Sequence, residues 1–315
     1  MAPAMRILFV TATRIGDAVL STGIADYLLR TYPDARLTVA CGPVAAGVFQ
    51  RMPRRDAMLI VDKRRFDLHW LGLWRRTVGT VWDLIVDLRG SALSFFLRTR
   101  KRAVMRGGRR PGHRLGHLAG ALRLDPAPLP VAWTSAADRA AAAAILPGGE
   151  TGGETWIGLG PTANWAGKVW PAERFVALFG RLATGLPGAR AVVFGGPGEA
   201  ERAMAAPVLA ALPGAVDLVG RLTLPEAAAC LARCALFVGN DSGLMHLAAA
   251  AGAPTLGLFG PTPATEYAPR GRCAAAVLAE GEPGRAPMAA LPVEAALAAA
   301  QGLLVAAKDV GRDKA

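Results

Sequence analysis

The sequence predicts an α/β protein made of two Rossmann-like lobes, each on a mainly parallel sheet. Short β-branched or Leu-rich runs alternate with longer Ala/Leu-rich amphipathic segments, as βα units require. The alternation runs through twice, on either side of a Pro/Gly-rich stretch at 147–153. A chain of 315 residues, 52% of them hydrophobic, is also long and apolar enough for two cores, which excludes a disordered or disulfide-stapled architecture.

The first strand is expected at 6–11, where Ile7 to Val10 form an unbroken apolar run. A helix follows over 17–31 and is stopped by Pro33. Strands at 37–40, 57–61 and 83–88 and helices at 44–51 and 68–80 complete the first set. The second set has strands at 155–160, 191–195, 217–219, 235–239 and 255–259, with helices at 172–184, 199–211, 225–233 and 243–250. Pro147-Gly148-Gly149-Glu150-Thr151-Gly152-Gly153 is flexible by composition, so the lobes are drawn as 1–150 and 151–315. An Ala-rich final helix at about 292–307 is weakly amphipathic and is expected to pack against a lobe.

Charge divides the chain at the same place. Residues 1–150 carry 23 Lys and Arg against 11 Asp and Glu, whereas residues 151–315 carry 13 of each, so the whole net charge of +12 lies in the first lobe. Such a half suits an anionic surface or polymer. Its densest part is Arg89, Arg98, Arg100, Lys101, Arg102, Arg106, Arg109, Arg110 and Arg114, with no acid among them. Few aromatics are interleaved and no reading motif appears, which argues against nucleic acid; phosphate or carboxylate groups on a membrane-bound acceptor fit at least as well.

Four cysteines, Cys41, Cys230, Cys234 and Cys273, form no CxxC and have no His at ligand spacing. Neither a zinc site nor a disulfide framework is indicated, and a reducing cytoplasm is the expected compartment. The apolar stretches near 243–259 and 289–307 are interrupted by His246, Gly252 and Pro254, or by Pro292, Glu294 and Gln301, so no membrane span is expected, at most peripheral contact.

Three segments carry the chemistry. Thr11-Ala12-Thr13-Arg14-Ile15-Gly16-Asp17 joins the first strand to the first helix at the carboxyl edge of the sheet, where such folds gather ligands. Gly16 is expected to permit a tight turn, and Asp17 either caps the helix or points its carboxylate into a crevice. Gly160-Pro161-Thr162-Ala163-Asn164-Trp165-Ala166-Gly167-Lys168-Val169-Trp170-Pro171 supplies small residues and a single Lys, a solvated side chain or an anion clamp. Asn240-Asp241-Ser242-Gly243-Leu244-Met245-His246 takes a buried strand into a helix whose first N–H groups suit a diphosphate, unless Asp241 or Ser242 merely caps it. His246 is read as a core residue or part of that crevice. Glu199 is read as a ribose contact or a helix-stabilising acid, and Gly260-Pro261-Thr262-Pro263 closes the next strand on the same edge.

Taken in order, Arg14-x-Gly16-Asp17, Lys168-x-Trp170-Pro171, Asp241-Ser242-Gly243-x-x-His246 and Phe259-Gly260-Pro261-Thr262 resemble the ADP-heptose:lipopolysaccharide heptosyltransferases, glycosyltransferase family nine. The resemblance implies a GT-B architecture, with acceptor on the first lobe and sugar nucleotide on the second, facing a central cleft. It implies Asp17 as general base, Lys168 as diphosphate clamp, Glu199 as ribose contact, and Asp241 on the donor-sugar hydroxyls. Ser242, Gly243 and His246 match the diphosphate corner, with Thr162 and Asn164 in the adjoining donor loop. Arg14, Arg89, Arg98, Arg100 and Arg106 are the expected acceptor contacts. Inverting transfer with no cofactor and no metal follows, since no DxD motif is placed beside the diphosphate. The alternatives are a GT-B enzyme using another nucleotide sugar, a sugar-nucleotide epimerase, or a non-catalytic glycolipid-binding module.

Overall fold

The computed structural model describes residues 4–63, 65–107, 110–148 and 153–312. The chain divides into two compact units between Trp133 and Thr134.

In the first unit, β1 (Arg6–Val10) leads into α1 (Ile15–Thr31), followed by β2 (Arg36–Cys41), β3 (Arg55–Ile60), α2 (Leu68–Thr77), β4 (Trp82–Asp87), β5 (Thr99–Val104) and α3 (Arg114–Ala119). The five strands are parallel in the order β3-β2-β1-β4-β5. Order therefore reverses between β1 and β4, the place where ligands bind in open α/β sheets. Register sets Val10 beside Asp87 and Asp87 beside Val104, so the loops leaving these strands start from one edge. The segment expected as a helix at 44–51 is a 3₁₀ turn, Pro43–Phe49. On one face of the sheet, Leu8, Ile85, Leu73, Trp82, Leu93 and Leu97 share a core.

The second unit begins with α4 (Ala136–Ile145), then β6 (Thr155–Gly160), α5 (Ala172–Thr184), β7 (Ala189–Val193), α6 (Glu199–Ala211), β8 (Val216–Asp217), α7 (Leu224–Leu231), β9 (Leu236–Asn240), α8 (Gly243–Ala250), β10 (Thr255–Phe259), α9 (Ala264–Tyr267), β11 (Ala274–Leu278) and α10 (Val293–Arg312). Its parallel sheet runs β11-β10-β9-β6-β7-β8, the dinucleotide-fold order, with the reversal between β6 and β9. The core gathers Ile157, Leu159, Phe175, Leu236, Val238 and Leu258 with Ala296 and Ala300 of α10. Helix α10 does pack on its lobe.

The division falls ahead of residue 150, and that junction is itself outside the described residues, as are Gly149, Thr151 and Gly152. The reason is α4, which the alternation did not reveal. It packs on α7, and Arg233 of the second unit donates to the Leu146 and Gly148 carbonyls. Its sequence signal is a capping box: the Ser135 hydroxyl accepts from Asp138 N–H while the Asp138 carboxylate accepts from Ser135 N–H. Among the described residues no helix is long and apolar enough to cross a membrane.

Candidate active site

The second unit builds its site where β6, β9 and β10 end side by side. Gly160 stands beside Gly239, and Leu258 beside Asn240. Gly160 is required there, because a Cβ would lie 2.6 Å from the Phe237 ring. The loop leaving β6 returns to this edge and is fastened at its far end. Trp170 N–H donates to the Asn240 side chain at 3.0 Å, and the buried Trp170 indole donates to the Leu291 carbonyl at 2.9 Å. Lys168, two residues before that anchor, is thereby brought to Asp241.

The Lys168 ammonium donates to Asp241 Oδ2 at 2.5 Å, and the Thr262 hydroxyl donates to the same oxygen at 2.9 Å. Both charged side chains are largely withdrawn from water. An ammonium has three donors, so one spent on Asp241 leaves two for an anion. Lysine thus meets a partner 73 residues away; it is no solvated side chain.

The first turn of α8 is open. Ser242 is its N-cap residue, yet its side chain makes no cap hydrogen bond, and Asp241 is committed to Lys168 and Thr262. The capping explanation of Asn240-Asp241-Ser242 therefore fails for both residues. Ser242 Oγ and Asn240 Nδ2 are buried without a hydrogen-bond partner, an unusual state for polar atoms in a native interior. Two such atoms beside an uncapped, electropositive helix end describe a cradle for an anion. His246 is buried at the end of the first turn of α8, and Thr162 is buried at the exit of β6. Asn164 is exposed. Glu199 is the exposed first residue of α6, after Gly198 at φ 109; the carboxylate that grips its loop is that of Glu201, accepting from Gly196 N–H at 3.0 Å.

In the first unit, Asp17 is not a cap. Arg14 occupies the N-cap position, without a side-chain cap bond, and Asp17 lies in the first turn of α1. Gly16 is helical too, so the tight turn expected of it does not occur. Close approach is instead made by Gly42, where a Cβ would stand 2.6 Å from Thr13 Cα. The Asp17 carboxylate accepts from Arg114 Nε at 3.2 Å, and Arg114 reaches it from the start of α3, whose N-cap His113 accepts from Leu115 N–H. Nearby in register, the fully buried Asp87 folds the exit of β4 by accepting from Arg89 N–H, Ser91 N–H and the Ser91 hydroxyl.

The basic run is not a single loop. It contains the edge strand β5, and its members separate accordingly. Arg100 pairs with Asp83 at 3.4 Å near the amino end of β4, and Arg98 is one residue before β5. The carboxyl end of β5, level with Asp87 and Val10, is four residues beyond Arg100, about 13 Å along a strand. Arg98 and Arg100 are thus not gathered with Asp17. Arg106 follows the carboxyl end of β5 and is exposed, as is Arg14, while the Arg89 guanidinium lies over the Trp70 ring. Arg109 is outside the described residues. Two residues carried no role of their own in the sequence: Arg114, one of nine cations, and Thr262, named only within the motif that follows β10.

Among the described residues no three His, Cys, Asp or Glu side chains gather as a metal-binding group. The thiols are free, and burial pushes Cys41 up to about 12 and Cys230 up to about 11.

The sequence profile of glycosyltransferase family 9 (heptosyltransferase) matches residues 125–287. The lipopolysaccharide heptosyltransferase 2 of Salmonella typhimurium is 27% identical over 299 residues, 82% of this chain and 83% of that one. Among solved structures, a family 9 glycosyltransferase of Veillonella parvula superposes with a TM-score of 0.78 at 22% identity, covering 96% of this chain and 97% of its own. The ADP-heptose lps heptosyltransferase II of E. coli gives 0.74 at 21% identity, over 96% and 99%. These two likenesses establish the fold as GT-B, two Rossmann-like units.

Proposed function

This chain belongs to glycosyltransferase family 9, the heptosyltransferases, and on that premise we propose that it moves a heptose from ADP-heptose to the inner core of a lipopolysaccharide precursor. It is a glycosyltransferase. The observation that carries the donor assignment is the corner of the second unit: an uncapped α8, buried Ser242 Oγ and Asn240 Nδ2 without partners, and Lys168 with two donors unspent beside them.

In this reading an acceptor hydroxyl loses its proton to Asp17 as its oxygen attacks the anomeric carbon. The bond from that carbon to the diphosphate oxygen breaks, the configuration inverts, and ADP leaves with the bonding pair. Lys168 and the Gly243 end of α8 meet the charge that develops on the diphosphate, in place from the outset. Asp241 and Thr262 face the donor sugar, with Ser242, Gly243 and His246 at the diphosphate, Thr162 and Asn164 in the donor loop, and Glu199 toward the ribose. Arg14, Arg89 and Arg106 attract the anionic acceptor. Arg114 holds the Asp17 carboxylate in place. We take the reaction to need neither metal nor cofactor, and the free thiols suit a reducing cytoplasm.

Calorimetry with ADP, UDP and GDP tests the donor assignment, with tight binding expected for ADP alone. Equal binding of UDP or GDP overturns it. Transfer from ADP-heptose should persist in excess EDTA, and its loss would remove metal independence.

A further inference from the structure

We propose that the first unit docks on an anionic phospholipid bilayer through the surface formed by residues 65–76 and the turn Ala92–Phe96. Phe66 is 90% exposed, Phe96 71% and Phe95 64%, and Leu68 and Leu71 of α2 are also exposed. Helix α2 and the turn are tied together. Leu68, Leu71 and Trp74 follow one another at i, i+3 spacing along α2, and the Trp74 indole donates to the Phe96 carbonyl at 3.2 Å, joining helix to turn. The opposite side of α2 is accounted for, since Leu73 is buried in the core with Trp70 packed against it, and Trp74 stands at the border between the two sides.

The composition of this surface selects its partner. Residues 65–76 and 92–96 hold Arg65, Arg75 and Arg76 against one acid, Asp67, and Arg102 reaches the turn from β5. Guanidinium groups lie against the exposed rings: Arg65 over Phe66 at 6.0 Å and Arg102 over Phe95 at 5.2 Å. An aromatic with its apolar body outward and a cation on its face has the amphipathic form of an interfacial anchor: the ring enters the acyl boundary, and the guanidinium meets lipid phosphate. Cations set beside exposed aromatic and aliphatic side chains match lipid phosphate above acyl chains, and nucleic acid has no need of the exposed leucines.

The backbone points the same way. Phe66 and Asp67 stand at φ 54 and 55, in the left-handed region that disfavours residues with a Cβ. A large aromatic is therefore held outward where glycine is the easier residue, an expense in stability that an interfacial role explains.

Flotation of the full chain with vesicles tests the proposal without acceptor or nucleotide, so its failure leaves the transferase reading standing. The chain is expected to float with phosphatidylcholine vesicles containing phosphatidylglycerol and to stay behind with phosphatidylcholine alone. Phe66→Gly should keep or raise the melting temperature, because glycine suits that backbone, while weakening vesicle binding severalfold. The F66S/F96S double variant should lose about tenfold or more, and R75Q/R76Q about fivefold for each charge. Three outcomes overturn it: undiminished flotation of F66S/F96S, equal flotation on phosphatidylcholine alone, or self-association that F66S/F96S abolishes in a chain that never floats.

Discussion

The Lys168 ammonium and the Asp241 carboxylate meet at 2.5 Å, although 73 residues separate them. Removing either leaves a largely buried charge without its counterpart, which costs far more than an exposed pair is worth. Lys168→Ala is expected to destabilise the second unit by roughly 3 kcal/mol in denaturant titrations and to abolish measurable ADP binding. The double variant K168M/D241L should recover much of the stability and none of the binding, which separates the two effects.

Thr262→Val removes one hydrogen bond to the same oxygen. A loss of about 1 kcal/mol is expected by denaturant titration, since the Lys168 bond is retained. In transfer assays its larger effect should be on the donor KM, because it faces the donor sugar in our reading.

Asp17→Asn is isosteric and keeps an oxygen for Arg114. Transfer should fall by about 10² to 10⁴, the usual share of a general base, with ADP affinity unchanged by calorimetry. Arg114→Gln frees the Asp17 carboxylate without deleting it, so activity should fall less than in Asp17→Asn. A fully active D17N enzyme would remove the base assignment.

Asp87→Ala leaves two backbone N–H groups and the Ser91 hydroxyl without their acceptor at a fully buried turn. A loss of about 2 kcal/mol or more is expected in thermal or chemical unfolding, since each orphaned buried donor is costly.

The thiols supply a pH test. Burial raises Cys41 to about 12, Cys230 to about 11, and Cys234 and Cys273 in the same direction. A raised thiol stays protonated below its folded value, and the thiolate is the reactive form. Cys41, Cys230 and Cys234 of the native protein should therefore react slowly with a disulfide reagent at pH 8, whereas the denatured chain should show all four thiols at once. Rapid native labelling of those three would contradict the burial.

Several elements were legible because their signal is local. The ranges 155–160, 172–184, 199–211, 243–250 and 255–259 are the observed elements end for end, since each has a full apolar period and a Pro, Gly or polar corner at its limits. Two edge strands were not. Thr99-Arg-Lys-Arg-Ala-Val104 carries three consecutive cations, and Ala274-Ala-Ala-Val-Leu278 is mostly alanine; an edge strand has a neighbour on one side only, so its residues need not follow the pattern of a buried strand. Their strand character comes from the ladder beside them.

The amino-acid sequence alone determined the two βα series, the charge of the first, and the family to which the motifs belong, because periodicity, composition and motif order are properties of neighbouring residues. Which polar groups meet was decided by tertiary structure. Arg114 reaches Asp17, Thr262 reaches Asp241, α4 sides with the second unit, and Arg98 and Arg100 part from the site, because each depends on strand order and register in a parallel sheet. Those are set by how the whole core packs, and no window of the chain contains them.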